Sequence, residues 1–192
     1  MDSNALSHLH LVFIPLMAPG HLLPMVDMAK LLAQPKAKVS IVTTPLNSIQ
    51  FQASIDREIQ SGSPIQILHV QFPCTEAGLP EGCESLDILP SMDLINNFNM
   101  ALDLLQQPLE ELLEKQIPFT SCIIADKYII CVTDVANELN VPRIIFDRLI
   151  ASFYYVTTIY KRIRSMKLCL VKRNFLSCEC PMELNCKDLN SP

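Results

Sequence analysis

The chain reads as an α/β protein, a Rossmann-like parallel sheet with helices on both faces. Three observations predict this. Short runs rich in aliphatic and β-branched residues alternate with stretches whose apolar residues recur every three or four positions. The short runs are apolar almost throughout, the pattern of strands buried on both faces of a parallel sheet. The first strand, helix and second strand complete a βαβ unit, whose crossover is expected to be right-handed.

The elements follow in order. Leu11-Val12-Phe13-Ile14-Pro15-Leu16 is the first strand pattern, and it leads through Met17-Ala18-Pro19-Gly20 into a helix predicted over 21–33. That helix buries Leu22, Met25, Val26, Ala29 and Leu32 and turns Asp27 and Lys30 toward water. The second strand runs over 38–44 and is stopped by Pro45. A polar helix over 48–60 ends at Ser61-Gly62-Ser63-Pro64, and the third strand takes 65–72. Residues 73–90 form a long loop, of the kind that is functional or mobile. The stretch 91–115 has the period of one long helix or two short ones, with Pro108 as a kink. A fourth strand over 121–125 ends at Asp126, a helix follows over 132–139, and Val141-Pro142 introduces a fifth strand over 143–146. Beyond about Lys161 the period decays, so the chain divides into a domain over 1–160 and an irregular tail over 161–192.

Hydrophobic residues make up 49% of the chain and charged residues 18%, which suits a large core rather than disorder. A net charge of −5 gives no basic footprint for nucleic acid. No apolar run reaches the ~18–20 residues of a membrane span, and Met1 to Ala5 lack a basic signal region, so a cytoplasmic location is expected. The cysteines lack Cys-x-x-Cys or zinc-ribbon spacing, and reduced thiols with no metal site are expected. Cys122, in a strand, and Cys131, near a helix start, read as small hydrophobes.

Two positions carry candidate chemistry. His21 stands where a strand ends and a helix begins, beyond the carboxyl end of the strand, where open α/β sheets bind ligands. The positive end of a helix dipole disfavours an imidazolium there, and a neutral imidazole in a cleft is a candidate general base. Asp126 occupies the corresponding place after the fourth strand. A histidine or aspartate after a strand also serves as a capping or packing residue. His8, His10 and His69 read as structural or solvent-facing, and Glu76, Glu81 and Glu84 as solvated loop acids. Phe98, Phe146 and Phe153 read either as walls of a ligand pocket or as core.

The order of several phrases carries a resemblance. They are His10-Leu11-Val12-Phe13-Ile14-Pro15; Met17-Ala18-Pro19-Gly20-His21-Leu22-Leu23-Pro24; Val39-Ser40-Ile41-Val42-Thr43-Thr44-Pro45; Gly78-Leu79-Pro80-Glu81-Gly82-Cys83-Glu84; Ser121-Cys122-Ile123-Ile124-Ala125-Asp126; and Val141-Pro142-Arg143-Ile144-Ile145-Phe146. Over most of 8–147 the chain resembles the N-terminal, acceptor-binding half of plant UDP-dependent glycosyltransferases of small molecules. The resemblance implies the N-terminal domain of a two-domain GT-B fold. It implies His21 as the base for an acceptor hydroxyl, Asp126 as the group that holds and stabilises the charged imidazole, and inverting attack on the sugar. It implies acceptor contacts at Gly20, Phe98 and Phe146. The acceptor would be a plant product such as a flavonoid, terpenoid or steroid, with a UDP-sugar as co-substrate and no metal or other cofactor.

The chain also departs from the family. It has no tryptophan, whereas the family's donor-binding half carries a tryptophan-containing signature, so that half is expected to be absent and the chain inactive alone. Lys127 follows Asp126 and could compete with His21 for the carboxylate, and Asp147-Arg148 brings charge where small or neutral residues are usual. A non-catalytic small-molecule-binding or interaction fragment, or a pseudogene product, is the alternative reading. The first turn lacks Gly-x-Gly-x-x-Gly and no Gly-x-Ser-x-Gly occurs, which argues against a dinucleotide oxidoreductase and an α/β-hydrolase.

Overall fold

A computed structural model describes residues 9–35 and 37–147. The predicted tail over 161–192 with its four cysteines, together with His8, Arg148 and Phe153, lies outside the described residues.

Five parallel strands form one sheet in the order β3-β2-β1-β4-β5. They are β1 Leu9–Ile14, β2 Ala37–Thr43, β3 Ile65–His69, β4 Cys122–Asp126 and β5 Arg143–Phe146. Every residue of β1 and β4 is buried, as their uninterrupted apolar sequences demand. β1 stops at Ile14 rather than continuing to Leu16, because Pro15 has no N–H to give the ladder. The strand order reverses between β1 and β4, so the loops leaving these two strands part and open a crevice at their carboxyl ends.

Helices cover both faces. On one face α1 (Pro19–Leu32) and α3 (Gln52–Gln60) pack Leu22, Met25, Val26, Ala29 and Ile55 against Leu11, Phe13, Val39, Ile41 and Ile124. The other face places Val12, Ile14, Val42, Ile123 and Ala125 under α4 (Ile95–Asp103), α5 (Gln106–Glu114) and α6 (Val132–Glu138). A short α2 (Pro45–Ser48) follows β2, its start capped by the Thr44 hydroxyl accepting from the Asn47 N–H. The polar helix read over 48–60 therefore starts only at Gln52, after α2 and a turn.

The stretch 91–115 resolves into two helices. The break falls at Leu104–Leu105 rather than at Pro108, which lies in the first turn of α5. There its ring would collide with the carbonyl four residues back, Leu104, so α4 ends before the proline is reached.

The long loop over 73–90 is a packed structure. Cys74, Ala77, Leu79 and Cys83 are buried in the core, and Gly78 and Gly82 take positive φ to make its turns. A Cβ on Gly78 would meet Asn97 Nδ2 at 3.0 Å, the amide that donates to the Ala77 carbonyl at 2.8 Å. Glu76 and Glu81 are exposed, as expected of loop acids, but Glu84 is not. Its side chain is buried with Oε2 unpartnered, because Asn47 Nδ2 draws the Glu84 carbonyl in to 2.9 Å over the end of β2.

At the amino end of the sheet His10 is fully buried in a chain of hydrogen bonds. Its Nδ1 donates to the Pro118 carbonyl at 2.9 Å, so Nε2 accepts from the Ser40 hydroxyl at 2.6 Å, and Ser40 Oγ in turn accepts from Gln66 Nε2 at 2.8 Å. Burial pushes the His10 imidazole down to about 4. His10 is a structural histidine. His69 is solvent-facing, with Nε2 at 3.1 Å from the Ser48 hydroxyl.

Candidate active site

The crevice between β1 and β4 brings His21 and Asp126 together. Pro19 starts α1 with its φ already helical, and Ala18 provides no side-chain cap, so His21 falls in the first turn with its side chain at the crevice. Asp126 is the last residue of β4, paired there with Phe146 of β5. His21 Nδ1 lies 2.7 Å from Asp126 Oδ2, across 105 positions of sequence. The aspartate is fully buried while the imidazole is 18% exposed, so the ring is anchored from inside and open from outside.

Three further contacts fix Asp126, one at its carboxylate and two at its backbone carbonyl. Asp126 Oδ1 accepts from the Tyr128 backbone N–H at 3.0 Å, closing a local Asx turn. The Asp126 carbonyl accepts from the Ile129 N–H at 3.2 Å and from Arg143 Nη2 at 3.2 Å. A buried acceptor facing Nδ1 requires a proton on that nitrogen, which leaves Nε2 with a free lone pair. Nε2 has no hydrogen-bond partner among the described residues, and the imidazole is partly open to solvent. This arrangement can accept a proton from a group bound there, with the aspartate stabilising the imidazolium that forms.

Tyr128 stands beside the base, its ring centroid 5.7 Å from that of His21 in an edge-on arrangement, and it is 54% exposed. Sequence reasoning missed it. The signal was available in its spacing, two residues after Asp126 at the mouth of the same crevice. The packed loop over 73–90 also belongs to the setting, because the Ser85 hydroxyl and the Leu86 N–H both donate to the Met17 carbonyl, at 3.0 and 2.8 Å. They pin the turn that delivers His21.

Of the other candidates, Gly20 adjoins the dyad and the two phenylalanines do not. Gly20 is exposed beside His21. Phe98 is 1% exposed and packs on Phe72 with centroids 5.3 Å apart, under the face covered by α4. Phe146 is 2% exposed on the opposite face. The sheet separates the two rings, and each is enclosed by core. Lys127 does not compete for Asp126: its ammonium pairs with Asp147 Oδ2 at 2.9 Å and lies 5.0 Å from the Tyr128 ring centroid. A side chain following the last strand residue points away from the one before it, so the lysine takes the carboxylate on β5's side. Among the described residues no group of three His, Cys, Asp or Glu side chains could hold a metal, and no helix is long and apolar enough to cross a membrane.

No protein-family model matches the chain. Individual relatives do. The chain is 50% identical over 141 residues to UDP-glycosyltransferase 73E1 of Stevia rebaudiana, an alignment covering 73% of this chain and 28% of that protein. It is 47% identical over 138 residues to UDP-glycosyltransferase 73C12 of Barbarea vulgaris, covering 72% and 28%.

The chain belongs to the plant UDP-glycosyltransferases. It spans under a third of the length of the curated relatives it matches. Solved glycosyltransferase structures superimpose on it: Arabidopsis thaliana UGT89C1 complexed with UDP-L-rhamnose at a TM-score of 0.63 and 28% identity, covering 73% of this chain and 36% of that one. Glycyrrhiza uralensis UGT73P12, complexed with glycyrrhetinic acid 3-O-monoglucuronide, gives 0.61 and 33%, covering 72% and 28%. The sheet is that of the N-terminal domain of the two-domain GT-B fold.

Proposed function

We propose that the chain forms the acceptor-side half of a UDP-sugar-dependent transferase acting on a hydroxyl of a plant small molecule. His21 Nε2 takes the hydroxyl proton as the oxygen attacks the anomeric carbon. The new carbon–oxygen bond forms as the bond to UDP breaks, the leaving UDP keeps the electron pair, and the configuration at that carbon inverts. Asp126 stabilises the imidazolium. The observation that carries the reading is the buried Asp126 carboxylate 2.7 Å from Nδ1 of a histidine whose other nitrogen is free. General-base assistance of this kind contributes typically ~10²–10⁴-fold to a rate.

The relatives support the two substrates. The names of the curated ones are UDP-glycosyltransferases, UGT89C1 is solved with UDP-L-rhamnose and with quercetin, and UGT73P12 with glycyrrhetinic acid 3-O-monoglucuronide. A planar hydroxylated acceptor suits the exposed Tyr128 ring, which flanks the space in front of Nε2, with Gly20 leaving room beside it. Phe98 and Phe146 would act from behind, as packing that holds the crevice walls. The UDP-sugar is a co-substrate held by the second half of the GT-B fold, and the reaction as written uses no metal.

The test joins this chain to the donor-binding half of the Stevia rebaudiana relative and supplies UDP-glucose with quercetin. A glucoside of inverted anomeric configuration is expected. A product of retained configuration would contradict direct attack by a hydroxyl that His21 has deprotonated.

A further inference from the structure

Arg143 opens β5 opposite Ile123, and its half-buried side chain turns back onto the protein. It runs beneath the turn that joins β4 to α6. Nη2 donates to the carbonyls of Asp126 and Ile129 at 3.2 and 3.0 Å, and Nη1 donates to the Ile130 carbonyl at 3.5 Å and to Thr133 Oγ1. One guanidinium thereby ties together three carbonyls of the 126–130 turn and the first turn of α6. Only a rigid fork of donors can do so, since a lysine ammonium presents its donors from a single point.

The clamp is costly. Arg143 Nε is buried without a partner, and burial lowers the affinity of the guanidinium for its proton against the opposing pull of Cys131 and Asp126. Closing the turn does not require it, because the Ile129 N–H already reaches the Asp126 carbonyl. What the turn carries is the hydrogen-bond partner of the His21 ring, Asp126 through Oδ2, together with the aromatic ring beside it, Tyr128. We infer that Arg143 is a positioning residue for the dyad, holding the turn so that Asp126 Oδ2 stays within bonding distance of His21 and the proton stays on Nδ1. The inference rests on the proposed role of His21 as the base.

The experiment reads the histidine rings directly, by nitrogen-15 NMR of the full chain with labelled histidine, before and after Arg143→Met. His10 is the internal control, since its Nδ1–H is held by Pro118 at the amino end of the sheet, away from the turn. The expected result is a His21 ring that loses its fixed Nδ1–H form while the His10 signals stay in place. Unchanged His21 signals in a folded variant would overturn the inference. If Arg143→Met abolishes both sets of signals, Arg143→Lys, which keeps charge and stem, is read the same way; loss of both again would also overturn it, because the residue would then support the whole domain. Since the readout is the ring and not turnover, transfer that survives loss of His21 would sink the proposed function without changing this result.

Discussion

His21 Nδ1 and Asp126 Oδ2 lie 2.7 Å apart because the first helix and the fourth strand meet where the strand order reverses. The sheet places the two residues on opposite lips of one crevice, and burial of the carboxylate orients the ring. Replacing Asp126 by Asn keeps the shape and removes the charge. The enzyme completed with a donor half should then lose roughly 10²–10⁴-fold in turnover, with the circular dichroism spectrum of the domain unchanged. Steady-state rates of the two proteins check this.

Lys127 offers a sharper negative. Its ammonium is engaged by Asp147 and raised in affinity for its proton by that hydrogen bond. Lys127→Met should leave turnover and its pH profile unaltered. Had the lysine drawn Asp126 away from His21, removing it would raise activity, and initial rates across pH would show the gain.

How much of this was legible beforehand differs between elements. The five strands and the His21 and Asp126 positions could be read because buried parallel strands are continuous apolar runs and the crevice lies at their carboxyl ends. Glu84 could not: nothing local distinguishes an acid drawn inward by Asn47, 37 positions away, from its exposed loop neighbours. Arg143 was hidden for the same reason, because an arginine opening an edge strand ordinarily goes to water, and its partners are carbonyls that sequence does not display. Phe98 and Phe146 show the limit of composition, since a pocket wall and a core ring have the same side chain.

His10 makes stability depend on pH. The unfolded imidazole binds a proton near its ordinary value of 6.5, whereas the buried one does so only at about 4, so between these values the unfolded state holds more protons. The stabilising contribution is complete above 6.5 and is lost as pH falls toward 4, by up to about 3 kcal/mol. Urea unfolding at a series of pH values should show a shallower decline through this window in His10→Gln than in the natural chain.

Burial pushes the Cys122 thiol up to about 12 and the Cys131 thiol up to about 11. Neither should be alkylated by iodoacetamide at pH 8 in the folded chain, and both should react once denaturant is added. Peptide mass spectrometry of the quenched samples distinguishes each cysteine.

The most direct measurement is the rate of glucosyl transfer by the donor-completed enzyme carrying His21→Ala, with folding verified by its unfolding curve. A fall of at least ~10²-fold is expected with the acceptor still bound. Transfer at the natural rate would contradict the assignment of His21 as the base.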